Sequence, residues 1–437
     1  MRRVLLRGSS VIPVAERLAL ILTQLLVASG RVVSKETLAV TVWPNDAVSD
    51  GNLVQHIYLL RRLFGEKTKD RSYILSVPRT GYRFAVPVEV MEPSLNETFT
   101  TDAASLGAIV SGEQFEPFRA YCQGSYFLEQ RTAPAIRRAA EFFESSLQSS
   151  RDYVPSLIGL ARAHQFLGTY WHVPPNLTFP AAFEAVERAL AIDPASAVAH
   201  AVRSGLLCFW KWDWQGARRE SELAIRLNPG STFVRTNAAW VHICAGRFER
   251  ALLEAQLALT LEPSSLSLQL LVARVLLHSG RYAEAIALMS NILETSPAFY
   301  IARRYRAQAY LLDAQPEKAI GDLELLPQER SEDPSFRLPM LGRAYADAKE
   351  NRRAAEVFGV LESLAQTEYV VCWNLAIVAC GLRRYADAIS YLETACERHE
   401  STLAFLKSLP WFVAIAGDAR FKRVAERVDA GSTDQEA

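Results

Sequence analysis

Apolar and polar positions along the first ninety residues follow a spacing that predicts three helices. The first helix carries an apolar stripe at helical intervals: Leu18, Ile21, Leu22, Leu25 and Leu26. Gly30 then stands where a left-handed residue ends a helix. Ser34 is an N-cap residue for the second helix, which places Leu38 toward the core. A short hairpin at about residues 4–7 and 11–14 is expected ahead of the first helix.

A third helix is predicted to begin near Ser49 and to have two unlike faces. Its inward face has apolar residues at steps of four, three and four: Leu53, Ile57, Leu60 and Phe64. The opposite face presents two amides, a phenol, an aliphatic side chain and a guanidinium, with an imidazole on its flank: Asn52, Gln55, Tyr58, Leu59, Arg62 and His56. These groups suit base edges and phosphates, and an exposed leucine suits a thymine methyl. The alternative is an ordinary solvated helix face.

A β-hairpin is predicted at residues 77–84, because Pro78 and Gly81 interrupt two β-prone runs. Arg79 lies at its tip, and Tyr82 lies in the returning strand. A cationic tip can enter the minor groove of A·T-rich DNA, where negative potential is concentrated. Three helices followed by such a hairpin outline a winged helix, which lays its third helix in the major groove. The motif therefore predicts sequence-specific DNA binding.

The order and spacing of these motifs resemble the winged-helix domain of OmpR/PhoB-type bacterial transcription regulators. The resemblance implies that Trp43 and Arg61 touch the DNA backbone or support such contacts, and that His56 contacts a phosphate. It also implies that Arg79 occupies a wing position, with Tyr82 beside it. One departure is that relatives usually begin with a four-stranded sheet, whereas a single hairpin is predicted here.

Charge is divided unevenly along the chain, although the 437 residues carry no net charge. Residues 1–90 hold 13 Lys and Arg against 7 Asp and Glu, so this part is +6 and the remainder is −6. A basic head on an acidic body is typical of a protein that meets nucleic acid at one end. The division supports the motif without replacing it.

Beyond residue 113 the sequence repeats with a period of about 34 residues. Six alanines occupy the same place in successive units: Ala217, Ala251, Ala285, Ala319, Ala354 and Ala388. Prolines end four of these units: Pro194, Pro229, Pro263 and Pro297. The period, the small residues and the prolines resemble the tetratricopeptide repeat, an α-solenoid of helical pairs. About eight pairs are predicted, with an insertion at residues 171–179 and a last helix at 410–428.

The fold class is therefore mainly α, with an α+β winged helix followed by an α-solenoid. The predicted domains are a winged helix at 1–89, a polar linker at 90–113 and a repeat superhelix with its capping helix at 114–429. A disordered tail is expected at 430–437.

A concave groove lined by the first helix of each pair is expected in the repeats. Four residues are predicted to face it as a partner-binding surface: Asn237, Trp240, Arg274 and Asn374. Such a groove most often binds a protein segment or peptide. The alternative is that Trp240 is packing and that the asparagines only solvate the surface.

Catalytic and metal-binding motifs are not recognisable in the sequence. The six cysteines form no CxxC, and the seven histidines show no HExxH or other metal-ligand spacing. We therefore expect no enzyme, no cofactor and no metal. No apolar run is long enough to span a membrane, and the scattered cysteines suit a reducing, cytoplasmic compartment.

The two-part layout resembles one-component bacterial regulators of the HilA/CadC type. That resemblance implies a promoter-binding transcriptional activator whose repeats bind a partner or mediate self-association. It also implies that the turn at residues 44–50 contacts RNA polymerase, and that copies pair head to tail on DNA. The alternative is a repeat scaffold whose winged helix binds protein instead of DNA.

Overall fold

The computed structural model describes residues 5–7, 10–12, 16–28, 30–42, 53, 56–57, 60–61, 64, 73–77, 80–86, 116–130, 132–170, 173–326 and 334–431. They form two compact units. The first contains residues 1–131 with 138–156, and the second contains residues 132–137 with 157–437. The predicted linker at 90–113 and the boundary at residue 89 lie outside the described residues.

The first unit begins with short strands and two helices. In chain order these are β1 (Leu5–Arg7), β2 (Ser10–Ile12), α1 (Glu16–Val27), β3 (Val33–Ser34), α2 (Lys35–Val42), β4 (Ile74–Val77) and β5 (Gly81–Phe84). Strands β1 and β2 form one antiparallel pair, and the other three form a sheet in the order β3-β5-β4. The predicted N-terminal hairpin, the first two helices and the hairpin at 77–84 are confirmed.

The core of these elements is built from the apolar positions that the spacing predicts. Leu53, Ile57 and Leu60 are helical and buried, together with the stripe of α1. Gly30 has the expected left-handed φ of +79°, and the Thr37 amide donates to the Ser34 hydroxyl at 3.0 Å. The start of the third helix lies outside the described residues.

Gly81 is required by the close approach of β3 to β5. A Cβ added there would overlap the carbonyl oxygen of Val33. Because the two strands pair antiparallel with Ser34 opposite Gly81, any side chain at this position would separate them. The glycine that marks the hairpin in the sequence thus also lets the hairpin join the helical part of the unit.

The rest of the chain consists of paired helices, which we number onward from α2. They are α3 (Glu116–Glu129), α4 (Ala133–Ser149), α5 (Val154–Thr169), α6 (Pro175–Ile192), α7 (Ala197–Leu206), α8 (Trp214–Leu227), α9 (Thr232–Cys244), α10 (Phe248–Leu261), α11 (Leu266–His278), α12 (Tyr282–Thr295), α13 (Tyr300–Leu312), α14 (Pro316–Glu324), α15 (Pro334–Asp347), α16 (Asn351–Leu364), α17 (Cys372–Gly381), α18 (Tyr385–Glu397) and α19 (Ala419–Ala430). Eight pairs precede α19 within the described residues, as the repeats predict.

Buried alanines fix the spacing between paired helices in the second unit. The six repeated alanines are all completely buried, each on the second helix of its pair: Ala217, Ala251, Ala285, Ala319, Ala354 and Ala388. A side chain no larger than a methyl group lets two helix backbones approach closely at a fixed point. Each repeated proline stands two residues after the last residue of a second helix, as at Pro229 after α8. The body is a tetratricopeptide-type α-solenoid.

Two local predictions are wrong. The insertion predicted at residues 171–179 ends sooner, because Pro175 begins α6 and Phe179 is completely buried within it. Proline is favoured at a first helical position, since its missing N–H would have no partner there. The last predicted helix is divided in two: a 3₁₀ turn at Pro410–Ile415 precedes α19, whose N-cap Asp418 accepts from the Arg420 amide.

Candidate nucleic-acid interface and the inner face of the repeats

Trp240 and Arg274, two of the predicted groove residues, are in direct contact. The guanidinium carbon of Arg274 lies 4.1 Å from the centre of the Trp240 ring and 3.9 Å from that of Tyr305. Helices α9, α11 and α13 supply these three residues, so the first helices of consecutive pairs meet here. The structure brings the predicted Trp240 and Arg274 together and adds Tyr305, which the sequence did not single out.

The two predicted asparagines have different surroundings. Asn237 is partly buried, and its side-chain amide donates to the Phe233 carbonyl at 2.9 Å. Asn374 is only 2% exposed, which leaves its side chain almost no surface for a partner. Packing inside α17 accounts for Asn374, because its neighbours from Cys372 to Cys380 are buried on every side of the helix. Asn374 is therefore not available as a groove residue in this conformation.

The C-terminal segment, residues 401–430, returns to the first helices of the repeats. The Phe405 ring lies 6.0 Å from Trp240 and 5.0 Å from His278, between ring centres. Ser408 lies 2.9 Å from the Nδ1 of His278, measured from its hydroxyl. Farther along, the indole of Trp214 donates to the Val428 carbonyl at 3.1 Å. Part of the expected groove is thus filled by the chain itself, and a cleft of 310 Å³ remains beside the end of α9.

His278 is held neutral by this arrangement. Burial, and then the nearby Arg274 charge, lower the pKa of His278 to about 3. A neutral imidazole fits a contact that consists of one hydroxyl and aromatic rings, because no described carboxylate hydrogen-bonds to it. The C-terminal segment therefore packs against an uncharged imidazole at this point.

In the first unit, the third helix is fixed to the hairpin by Arg61. Its guanidinium donates twice to the carbonyl of Ile74, at 3.0 and 2.7 Å, and once to the hydroxyl of Ser76 at 3.0 Å. Both acceptors lie on β4. Arg61 therefore positions the helix against the hairpin, and its predicted contribution to DNA binding stays a prediction.

Two other predicted DNA-contacting residues lie in the core of the first unit. His56 is 8% exposed and Tyr82 is 5% exposed. Tyr82 faces inward on β5, where it pairs with Val33 and Ser76 across the sheet. Burial leaves both side chains little surface for a duplex. The remaining predicted residues lie outside the described residues: Trp43, Asn52, Gln55, Tyr58, Leu59, Arg62 and Arg79.

Comparison with known proteins identifies the first of these two parts. Residues 9–84 match the family model described as "Transcriptional regulatory protein, C terminal". The match covers α1, α2, the helical residues around Ile57 and the whole β3-β5-β4 sheet. Residues 9–84 are an OmpR/PhoB-type winged-helix domain. The winged-helix domain accounts for the basic end of the chain and for the anchored third helix.

Relatives of known function match the chain over the same end. The transcriptional regulators HilA of Salmonella typhi and of Salmonella typhimurium are each 36% identical over 102 residues. Those residues are 23% of this chain and 18% of the relative. The match therefore spans less than a fifth of the length of these regulators, and it supports the winged-helix domain alone.

Solved structures of repeat proteins also match part of the chain. A tetratricopeptide repeat protein from Parabacteroides merdae is 15% identical, with a TM-score of 0.44, over 62% of this chain and 99% of its own. A thermophilic repeat protein from Thermus thermophilus is 23% identical, with a TM-score of 0.38, over 46% of this chain and 100% of its own. Of the helices that the structure describes, none is long and apolar enough to cross a membrane.

Arg83 is a candidate contact of the winged-helix domain that the sequence analysis missed. It lies on β5 between the buried Tyr82 and Phe84, and it is exposed. Residues in a strand alternate between the two faces of a sheet, so the neighbour of a buried tyrosine is directed to solvent. This alternation is the signal that could have replaced Tyr82 by Arg83 among the predicted contacts of the wing.

Proposed function

We propose that the protein is a sequence-specific DNA-binding transcription regulator that acts at promoters. The observation that carries the proposal is the winged-helix match at residues 9–84, together with a third helix whose apolar face is buried. Because Leu53, Ile57 and Leu60 face the core, the other side of that helix is turned away from it. That side is where the sequence has its amides and its guanidinium.

We assign base recognition to five residues that the sequence pattern predicts on this outer side: Asn52, Gln55, Tyr58, Leu59 and Arg62. Amides and guanidinium groups make paired hydrogen bonds to base edges in the major groove. Trp43 is assigned to the DNA backbone, and Arg79 with Arg83 to the wing. The burial of His56 and Tyr82 and the hydrogen bonds of Arg61 support an indirect role, in which these residues hold the reading elements in place.

The repeat body is proposed to bind a partner or to mediate self-association, so that DNA occupancy becomes regulation. We further propose transcriptional activation, with a contact between RNA polymerase and residues 44–50. Action in the cytoplasm and head-to-tail pairing on direct repeats are part of the same proposal. We place the linker between the two functions at residues 90–113.

The proposal is tested with the full chain on genomic DNA. Immunoprecipitation of bound fragments gives the site, and binding is then measured on that site and on a scrambled duplex. Gln55→Ala and Arg62→Ala are each expected to lose about 1–3 kcal/mol on the cognate duplex and much less on the scrambled one. Arg352→Ala is the control, because its side chain is 93% exposed in α16, far along the chain. Equal losses on both duplexes would remove these residues from base recognition.

A further inference from the structure

Arg274 lies among aromatic rings and has no carboxylate partner among the described residues. Its guanidinium lies between the faces of Trp240 and Tyr305, and its Nε is buried without a hydrogen-bond partner among the described residues. Arg162 and Arg304 also stack on rings, whereas other arginines of the repeats are paired with carboxylates. Arg306, on α13, contacts Asp322 at 2.7 Å, and Arg420 contacts Glu393.

The charges near Arg274 make the contrast sharper. The groups that influence it are Tyr305, Tyr170, Arg304 and Cys244, and none of these is a carboxylate. Arg304 brings a second guanidinium, which lies 5.4 Å from the Tyr305 ring and 3.8 Å from that of Phe336. A buried cation without an anion is unfavourable, and aromatic stacking compensates only part of that loss. This arrangement is the one expected of a cation whose anion is not part of the protein.

The stacking also prepares Arg274 for a particular kind of ligand. Two rings hold the guanidinium plane, so the N–H groups remain at its edge in a fixed fork. That fork matches two oxygens of a carboxylate or a phosphate. Phe405 and Ser408 occupy the inner face next to Trp240 and His278. An extended peptide running along the groove would meet them, whereas a small molecule would not.

We propose that Arg274, between Trp240 and Tyr305, binds the oxyanion group of a small organic acid or phosphate ester. The inference deepens the proposed role of the repeats as a binding module, on which it rests, and it gives their ligand a chemistry. Arg274 supplies two N–H groups to the oxyanion, the rings hold the guanidinium, and the Arg304 charge adds attraction. Binding at this site is non-covalent, and no proton is transferred.

The test is the thermal unfolding of the full chain in phosphate, in citrate and in chloride at equal ionic strength. A ligand that binds only the native state raises Tm by mass action, and we expect a rise of about 2–4 °C at tenfold the dissociation constant. The part of the rise that exceeds the general effect of excluded salts should disappear in Arg274→Gln and persist in Arg352→Gln, whose exposed side chain makes it the control. Both variants retain the general stabilisation by excluded salts, so the difference between them isolates the site.

A purely structural arginine would behave differently. Arg274→Gln would then lower Tm equally in all three salts, and that result would overturn the proposal. Tyr305→Leu is the second variant: it removes one ring of the sandwich and should reduce the oxyanion-dependent rise while leaving the charge. A rise in phosphate alone assigns a phosphate ester, a rise in citrate alone assigns a carboxylate, and a rise in both assigns the shared group. A rise that is the same in wild type and both Arg274 and Tyr305 variants excludes the site.

Failure of this site and failure of the proposed regulator can be told apart. Electrophoretic mobility shifts with genomic fragments are measured on the same preparations of wild type and Arg274→Gln. An Arg274-dependent rise in Tm in a protein that binds no DNA would keep the anion site and remove the regulator. DNA binding without any such rise would do the reverse.

Discussion

At the scale of single residues, the turns between paired helices share one backbone conformation but not one residue type. Gly246 and Gly280 have φ values of +69° and +81°. Ala314, Lys349 and Arg383 stand at the same place in later pairs, with φ values of +55°, +64° and +62°. The left-handed conformation is unfavourable by about 1 kcal/mol for residues with a Cβ, whereas glycine adopts it freely.

Exchanging these residues should therefore change stability in opposite directions. Ala314→Gly is expected to raise the free energy of unfolding by about 0.5–1 kcal/mol, and Gly246→Ala to lower it by about 1 kcal/mol. Steric clash does not enter the second case, since a Cβ on Gly246 meets no atom within 4 Å. Urea denaturation of both variants measures the difference, and changes of the same sign would contradict the argument.

Protonation of His278 should weaken the fold at acidic pH. Its pKa is about 3 in the folded protein, below the ordinary 6.5, so the unfolded chain binds the proton more readily. Stability from this residue is complete above pH 6.5 and is lost as the pH falls from there toward 3. The loss at pH 5.5 is about 1.4 kcal/mol for this group. His278→Asn should flatten the profile of unfolding free energy between pH 7 and 5.5. An unchanged slope in that variant would show that His278 is not the cause.

At the scale of elements, Arg61 joins the third helix to β4 through its three hydrogen bonds. Arg61→Ala leaves the Ile74 carbonyl without these donors and should reduce stability by about 1–3 kcal/mol. DNA affinity should fall by a similar factor on cognate and scrambled duplexes, because the whole reading helix shifts. Lower thermal stability together with unchanged base selectivity would be the expected pair of measurements. A selective loss on the cognate duplex would instead place Arg61 at a base.

The elements were predictable wherever their signal was local. Three signals were of this kind: the apolar stripe of α1, the Ser34 cap and the period of the buried alanines. Each involves residues of the same helix or of two neighbouring elements. Residues missed at the wing, such as Arg83, depend on which face of a strand is buried. A glycine marks the turn at Gly246 in the sequence, whereas the turn at Ala314 has the same left-handed backbone without a glycine.

The return of the C-terminal segment could not be predicted, because its contacts join residues far apart in the chain. Phe405 meets Trp240, and Trp214 meets Val428, at separations of more than 150 residues. Periodicity describes only neighbours within a repeat and between adjacent repeats. The same limit explains why Trp240 could be read both as a groove residue and as packing, and why Tyr305 was not singled out.

Phe405→Ala tests the contribution of this segment. It removes ring contacts with Trp240 and His278 and should lower the free energy of unfolding by about 2–3 kcal/mol, less than for a fully buried phenylalanine. Val413→Ala is a matched control in the same segment, because Val413 is 70% exposed and should change stability very little. Calorimetry of the two variants provides the comparison. Equal stability would show that the segment is only loosely held.

At the scale of the whole molecule, the basic first ninety residues should make DNA binding depend on salt. Each phosphate neutralised lowers the logarithm of the binding constant by about 0.9 per tenfold increase in salt. Arg83→Gln should reduce this slope by about 0.9, the value for one phosphate contact, without changing the preferred DNA sequence. Affinity measured between 50 and 300 mM salt gives the slope. An association that is insensitive to salt would favour the protein-binding scaffold over the regulator.

In a stack of repeats with free ends, each repeat contacts only its neighbours, so the stack can be extended and can unfold one unit at a time. The hydrogen bond from Trp214 to Val428 connects the third pair to the last helix and so links two distant parts of the stack. If force is applied at Trp214 and at Val428, the stack should resist extension until this contact breaks and should then lengthen in a large step. A change that loosens residues 401–430 would therefore alter the mechanical stiffness of all the repeats between the third pair and the last helix.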